Sequence, residues 1–284
     1  MKKPFFGKVC IVGVGLIGGS IGMAVKKRRL ARSVAGVVRR RQTAEAALKR
    51  KAVDETVFDL ASGVSCADLV ILSSPVRTIL QHLKILDSLV KPGAIVIDVG
   101  SSKYRIDKTA KRHLKKAVFV GCHPMAGSSK RGVDCTDASP DLFLGAVCFM
   151  TSKNVKIRKF WNLLGSRVVD TLSSREHDEW AAGTSYSTHV AACALLRDDG
   201  LRKLLRFKMI ADNPSFKEAA RLSKCDPDLW ADILLSNPYS ARHVLSFEKS
   251  IAEFREALAA GDRPKLKKLI AQANVFSNKL SPDE

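Results

Sequence analysis

The fold class predicted for this 284-residue chain is α/β, with a doubly wound, mostly parallel sheet over residues 1–172 and an all-helical domain over 173–284. Three observations predict it. Short β-rich apolar runs alternate with helical patterns up to about residue 170, the rhythm of βαβ units. The first of these runs leads directly into a glycine-rich turn and then a helical pattern. Beyond Ser173 the chain carries long segments of Ala, Leu, Lys, Arg and Glu without strand-like runs. The first half is therefore read as a Rossmann-like domain.

Taken in order, residues 8–12, 34–38, 69–72, 94–99, 118–121 and 146–150 read as strands. A helical stretch over 155–164 and a short strand over 167–170 close the first domain. In the second half Ser173 and Ser174 are candidate caps of the opening helix, with Glu176 in its first turn. Pro214, Pro227 and Pro238 mark helix starts or boundaries, because the proline ring removes an amide donor and clashes inside a helix.

Composition narrows the function classes. With 46% hydrophobic residues the chain can bury two modest cores. No apolar run approaches the ~18 residues that would cross a bilayer, and the N-terminal run is interrupted by glycines, so neither a membrane span nor a signal peptide is expected. Seven cysteines, an odd number without a C-x-x-C pair, suggest neither a zinc site nor a disulfide framework; no metal is expected, and a reducing cytoplasm fits. The net charge of +20 concentrates anions around the protein. Its basic runs, at 26–29, 39–41, 111–116, 202–208 and 265–268, are dispersed and not interleaved with aromatics, which make up 6% of residues. They read as solvated helix faces, and nucleic acid is not the expected partner.

The turn Gly13-Val14-Gly15-Leu16-Ile17-Gly18 has the context a dinucleotide site requires, with a strand before it, a helix after it and a second strand at 34–38. Gly13 permits the tight turn, Gly15 lets the backbone approach a pyrophosphate, and Gly18 allows helix and sheet to pack closely. The helix N-terminus, through Leu16 and Ile17, offers amide donors and positive potential. Ser74 and Pro75 complete the expected cofactor contacts. NAD-binding versions carry an acidic residue at the end of the second strand, about 20 residues onward. Here that place falls near Val38, followed by Arg39, Arg40 and Arg41, and the first carboxylate of the chain is Glu45. Guanidinium groups suit a 2′-phosphate, so NADP⁺ is the expected cofactor, with NAD⁺ the alternative.

Three further segments resemble the TyrA family, the prephenate and arogenate dehydrogenases. They are residues 98–103 (Asp98-Val99-Gly100-Ser101-Ser102-Lys103), 121–127 around His123, and the helical stretch with Glu176-His177-Asp178-Glu179 followed by Ser185-Tyr186-Ser187-Thr188-His189. Phe216-Lys217-Glu218-Ala219-Ala220-Arg221-Leu222 and Asp226-Pro227-Asp228-Leu229-Trp230 extend the likeness. The chain departs from the family where Tyr186 replaces the first histidine of a pair, where Pro214 and Ser215 replace glycines, and where Ala220 replaces Thr.

The resemblance implies oxidative decarboxylation of prephenate or arogenate in tyrosine biosynthesis. Hydride leaves the ring carbon that bears the hydroxyl, and carbon dioxide leaves as the ring becomes aromatic. It implies His123 as general base, titrating near ~6.5, with Ser101 orienting it or the substrate oxygen. Arg221, His189 and Tyr186 are the implied substrate contacts, set against an ion pair of Arg221 with Glu218 or Asp226 and against core packing for the other two. His177 and Asp178 sit at a helix start and are assigned to capping or a domain contact. Trp230 is assigned to the core or an interface. The helical half implies a homodimer, and the end of the chain at Glu284 leaves no room for an appended regulatory domain. The competing readings are a β-hydroxyacid-type dehydrogenase or pyrroline-carboxylate reductase on the same architecture, or a non-catalytic protein binding NADP or nucleic acid.

Overall fold

A computed structural model describes residues 4–127, 130, 132–207 and 213–280; positions 208–212, including the end of one basic run, lie outside the described residues. β1 (Phe6–Val12) shows why the sheet is central. Val9 and Ile11 point into one core while Cys10 and Val12 point into the other, so both faces of the strand are buried. β4 (Leu69–Leu72) divides the same way, with Leu69 and Ile71 on one face and Val70 and Leu72 on the other. Continuous apolar runs such as these require helices on both sides of the sheet.

The eight strands lie in the order β3-β2-β1-β4-β5-β6-β7-β8. β2 is Ala31–Val37, β3 Glu55–Val57, β5 Ile95–Asp98, β6 Val118–Pro124, β7 Val147–Met150 and β8 Arg167–Val169. All pairs are parallel except β6 with β7. The helices of this half are α1 (Leu16–Lys27), α2 (Arg41–Lys49), α3 (Leu60–Val64), α4 (Val76–Leu89), α5 (Tyr104–His113) and α6 (Val155–Leu164). The chain builds outward from β1 to β2 and β3, then crosses back to place β4 on the other side of β1. The topological switch point, where ligands of such sheets bind, therefore lies beyond Val12 and Leu72.

Three strands differ from the sequence reading by three residues, and β2 does so by starting at Ala31, where β1 already pairs with it through Phe6. β3 is a three-residue edge strand, half exposed and polar, with too little apolar pattern to announce itself. β6 runs three residues past the expected end, because β7 provides an antiparallel ladder in which His123 pairs with Phe149. His123 is thus held in a strand rather than in the loop after one.

The helical half holds α7 (Ser174–Ala181), a π-helical turn (Ala182–Tyr186), α8 (Ser187–Arg197), α9 (Asp199–Lys203) and a 3₁₀ turn (Leu204–Arg206). It continues with α10 (Pro214–Ser223), α11 (Pro227–Ser236), α12 (Ser240–Ala259) and α13 (Arg263–Asn278). Ser173 caps α7 in a reciprocal box with Glu176. Asn213 and Asp226 cap α10 and α11, with Pro214 and Pro227 in their first turns. Among the described residues no helix is long and apolar enough to cross a membrane.

Candidate active site

The cleft at the switch point begins with the glycine turn. Gly13 adopts φ +98°, a left-handed conformation that side chains disfavour, and its amide donates to the Val37 carbonyl at 3.0 Å. A Cβ on Gly18 would collide with the Gly13 carbonyl oxygen and Ser73 Oγ, so α1 reaches the sheet only with glycine there. A Cβ on Gly15 would meet nothing within 4 Å: this backbone faces open space. α1 starts at Leu16 with no acidic side chain in its first turn, leaving its N-terminal potential available to an anion.

A cavity of about 410 Å³ opens here, lined by Gly15, Leu16, Ile17, Ser74, Pro75, Gly100, Ser101, Ala126 and Gly127, with Leu229 and Ile233 of α11 across from them. Ser74 Oγ is buried and has no hydrogen-bond partner among the described residues, as a side chain meant for a ligand would. Arg39 and Arg40 are exposed beyond the end of β2. No described group of three or more His, Cys, Asp or Glu side chains could hold a metal ion.

His123 stands near the end of β6, three residues before Ala126 of the cleft wall. Its Nδ1 lies 2.9 Å from His177 Nε2, and His177 Nδ1 lies 2.9 Å from Asp178 Oδ1. Asp178 is fully buried and its carboxylate accepts the backbone amides of Lys103 at 2.6 Å and Tyr104 at 2.9 Å, at the N-terminus of α5. The carboxylate thus meets the positive end of α5 and orients His177 at the same time. Burial, helped by the nearby Lys103 ammonium, holds the His123 imidazole well below its usual 6.5. His123 is therefore neutral at pH 7, and the sequence-based expectation of a near-reference histidine is revised downward.

Beneath this chain Lys103 and Asp98, both fully buried, form an ion pair. The Lys103 ammonium also donates to the Cys122 carbonyl at 2.7 Å, tying the loop after β5 to the residue preceding His123. Burial pushes the Asp98 carboxyl above its usual range, opposed by the Lys103 ammonium and by the Gly100 amide, which donates to Asp98 at 2.9 Å. Such a pair fixes geometry more than it adds stability, because desolvation consumes most of its attraction.

The remaining sequence-predicted residues are divided between the cleft and its surroundings. Ser101 lines the cleft, and its carbonyl accepts the Tyr186 hydroxyl at 2.7 Å. Tyr186 is buried, and burial together with the Asp178 charge pushes its phenol up, so it remains a neutral donor. His189 stacks on Trp230 at 3.4 Å between ring centroids and lies near Cys193 Sγ; burial lowers its pKa and keeps it uncharged. Arg221 is well exposed and pairs with Glu218 at 2.9 Å, outside the lining of the cleft. His177 and Asp178, assigned from sequence to capping or a domain contact, both contact the first half of the chain: His177 meets His123, and Asp178 meets the start of α5. A signal was present: Ser173 and Glu176 already fill the capping box of α7, leaving those two without a capping role on their own helix.

A dinucleotide-type cleft on a doubly wound sheet, walled on its far side by a helical domain and flanked by a neutral histidine, defines a nicotinamide-dependent dehydrogenase. Residues 21–170 match the family described as prephenate dehydrogenase, nucleotide-binding domain, and residues 173–272 match its dimerization domain. The chain belongs to the prephenate dehydrogenase family. It is 31% identical over 252 residues to a prephenate dehydrogenase of Lactococcus lactis, covering 87% of this chain and 70% of that protein. The Aquifex aeolicus prephenate dehydrogenase solved with hydroxyphenyl propionate and NAD⁺ superposes with a TM-score of 0.81 at 25% identity, covering 98% of this chain and 100% of that one. Synechocystis arogenate dehydrogenase superposes at 0.76 with 26% identity, covering 96% and 99%.

Proposed function

We propose that this enzyme oxidises and decarboxylates prephenate or arogenate in tyrosine biosynthesis, with NADP⁺ preferred over NAD⁺. The observation that carries the reading is the convergence on one cleft of the Gly15 backbone, the Ser101 loop and the segment just beyond His123. The open face of Gly15, the acid-free start of α1 and the unpartnered Ser74 hydroxyl suit a dinucleotide. When bound, the nicotinamide supplies the hydride acceptor. His123, half-buried and neutral at pH 7, removes the proton of the ring hydroxyl as the carbonyl develops. Ser101, which lines the cleft, contacts the substrate oxygen or the base in this reading. Arg39 and Arg40, standing where a carboxylate would grip an unphosphorylated ribose, favour the 2′-phosphate.

The test is absorbance at 340 nm with each substrate and each cofactor in turn. NADP⁺ reduction with at least one of the two substrates, lost in His123→Asn, is the expected result. Absence of turnover in all four combinations would overturn the reading, and a several-fold advantage for NAD⁺ would overturn the cofactor assignment alone.

A further inference from the structure

The two histidines and the carboxylate of the chain are linked end to end, and the chemistry of their atoms restricts where the protons lie. We infer that His177, anchored by Asp178, is a positioning residue that fixes the tautomer of His123 and leaves its basic lone pair on Nε2. The inference rests on the assignment of His123 as the base. An ionised Asp178 only accepts hydrogen bonds, so the nitrogen of His177 facing it, Nδ1, carries hydrogen. In a neutral His177 the other nitrogen, Nε2, is then an acceptor. The 2.9 Å contact to His123 Nδ1 is satisfied only if His123 Nδ1 donates, and Nε2 is the nitrogen left unprotonated for a substrate.

The alternative proton arrangement makes His177 a cation that donates to His123 Nδ1, which would put the hydrogen of His123 on Nε2 and abolish it as a base. Its surroundings oppose that charge. His177 is 1% exposed, packed beside the rings of Phe149 and Trp180 at 5.4 and 6.3 Å. Asp178 already accepts two amides at the start of α5, which spread its negative charge. The other charged groups nearby are Lys103 and its partner Asp98, a pair of no net charge. The Cys148 thiol on β7 is pushed up by burial and is uncharged. When His123 takes a proton on Nε2, its Nδ1–H bond to His177 persists, so charge develops without rearrangement of the chain.

The experiment combines two readouts on the full-length protein. ¹⁵N-histidine NMR near pH 7.5, with His123→Asn identifying the signals, reports the tautomer and does not require turnover. The expected spectrum has His123 protonated at Nδ1 and bare at Nε2. A His123 protonated at Nε2 overturns the inference. In steady-state kinetics, His177→Leu is expected to lower kcat about 10- to 100-fold with KM changed less than about twofold, the scale of losing an orienting partner. His177→Gln, whose amide oxygen can accept from Nδ1, is expected to restore most of the rate, a recovery that a merely space-filling role would not give. A kcat for His177→Leu within about twofold of the parent also overturns the inference. If the parent protein oxidises neither substrate, the proposed function fails, while the tautomer readout still decides this point.

Discussion

His123 can act as a base only while its imidazole is neutral, and its setting extends that condition into acid. Burial and the nearby Lys103 ammonium disfavour the imidazolium, so the proton that inactivates the base binds only at a pH below the ordinary 6.5. The acid limb of kcat/KM is therefore expected below pH 6.5, measured as initial rates across a buffer series at constant ionic strength. A limb at or above that value would show the imidazole to be stabilised as a cation instead. A second residue-scale expectation concerns Arg39, exposed past the end of β2. A charge-assisted hydrogen bond contributes about 1.5–3 kcal/mol, so Arg39→Ser should raise KM for NADP⁺ about tenfold to a hundredfold. KM for NAD⁺ should change less than about twofold. Equal effects on the two cofactors would remove the 2′-phosphate from the argument.

At the scale of elements, α7 links the two halves through what its first turns carry. Ser173 accepts the Glu176 amide while Glu176 accepts the Ser173 amide and hydroxyl, so the helix is pinned at the turn that presents His177 and Asp178. Ser173→Ala should cost about 1 kcal/mol in urea unfolding, with faster amide exchange at the start of α7. A variant as stable as the parent, with unchanged exchange, would mean that packing alone holds the helix. Elements of this kind were legible in the sequence, because capping and periodicity are local: β4 and α6 lie over the residues expected, and Pro214 and Pro227 open helices as read. The glycine turn was legible for the same reason. What escaped depends on distant partners. β3 forms only because β2 offers it an edge, and β6 lengthens only because β7 returns beside it. The meeting of His123 with His177 joins residues 54 apart in sequence, and no local spacing encodes it. The π-helical turn before α8, which brings Tyr186 onto the Ser101 carbonyl, likewise lacks a local signature.

At the scale of the whole molecule, the helical half buries too little of its own apolar surface. α13 has no buried residue within the chain, although Ile270, Val275, Phe276 and Leu280, just beyond its end, are half or more exposed. Leu235 on α11 and Leu258 on α12 are exposed by 74% and 66%. Scattered apolar residues are ordinary, but helices whose apolar residues find no intrachain partner call for a second surface. We propose that the surface is another copy of this chain, in keeping with the match of residues 173–272 to a dimerization domain. The net charge of +20, dispersed in short runs, does not favour self-association; the apolar helices must overcome it, and added salt should strengthen the assembly by screening. Light scattering coupled to size exclusion is expected to give twice the 31.0 kDa chain mass. Leu258→Arg should shift the population toward single chains, because it places an unpaired charge in a desolvated contact. α11 presents Leu229 and Ile233 to the cleft and Leu235 to solvent, so losing the partner should also weaken substrate binding by loosening that wall. A parent protein that stays at 31.0 kDa at micromolar concentration, or a Leu258→Arg variant that remains paired, would require a different cover for these helices.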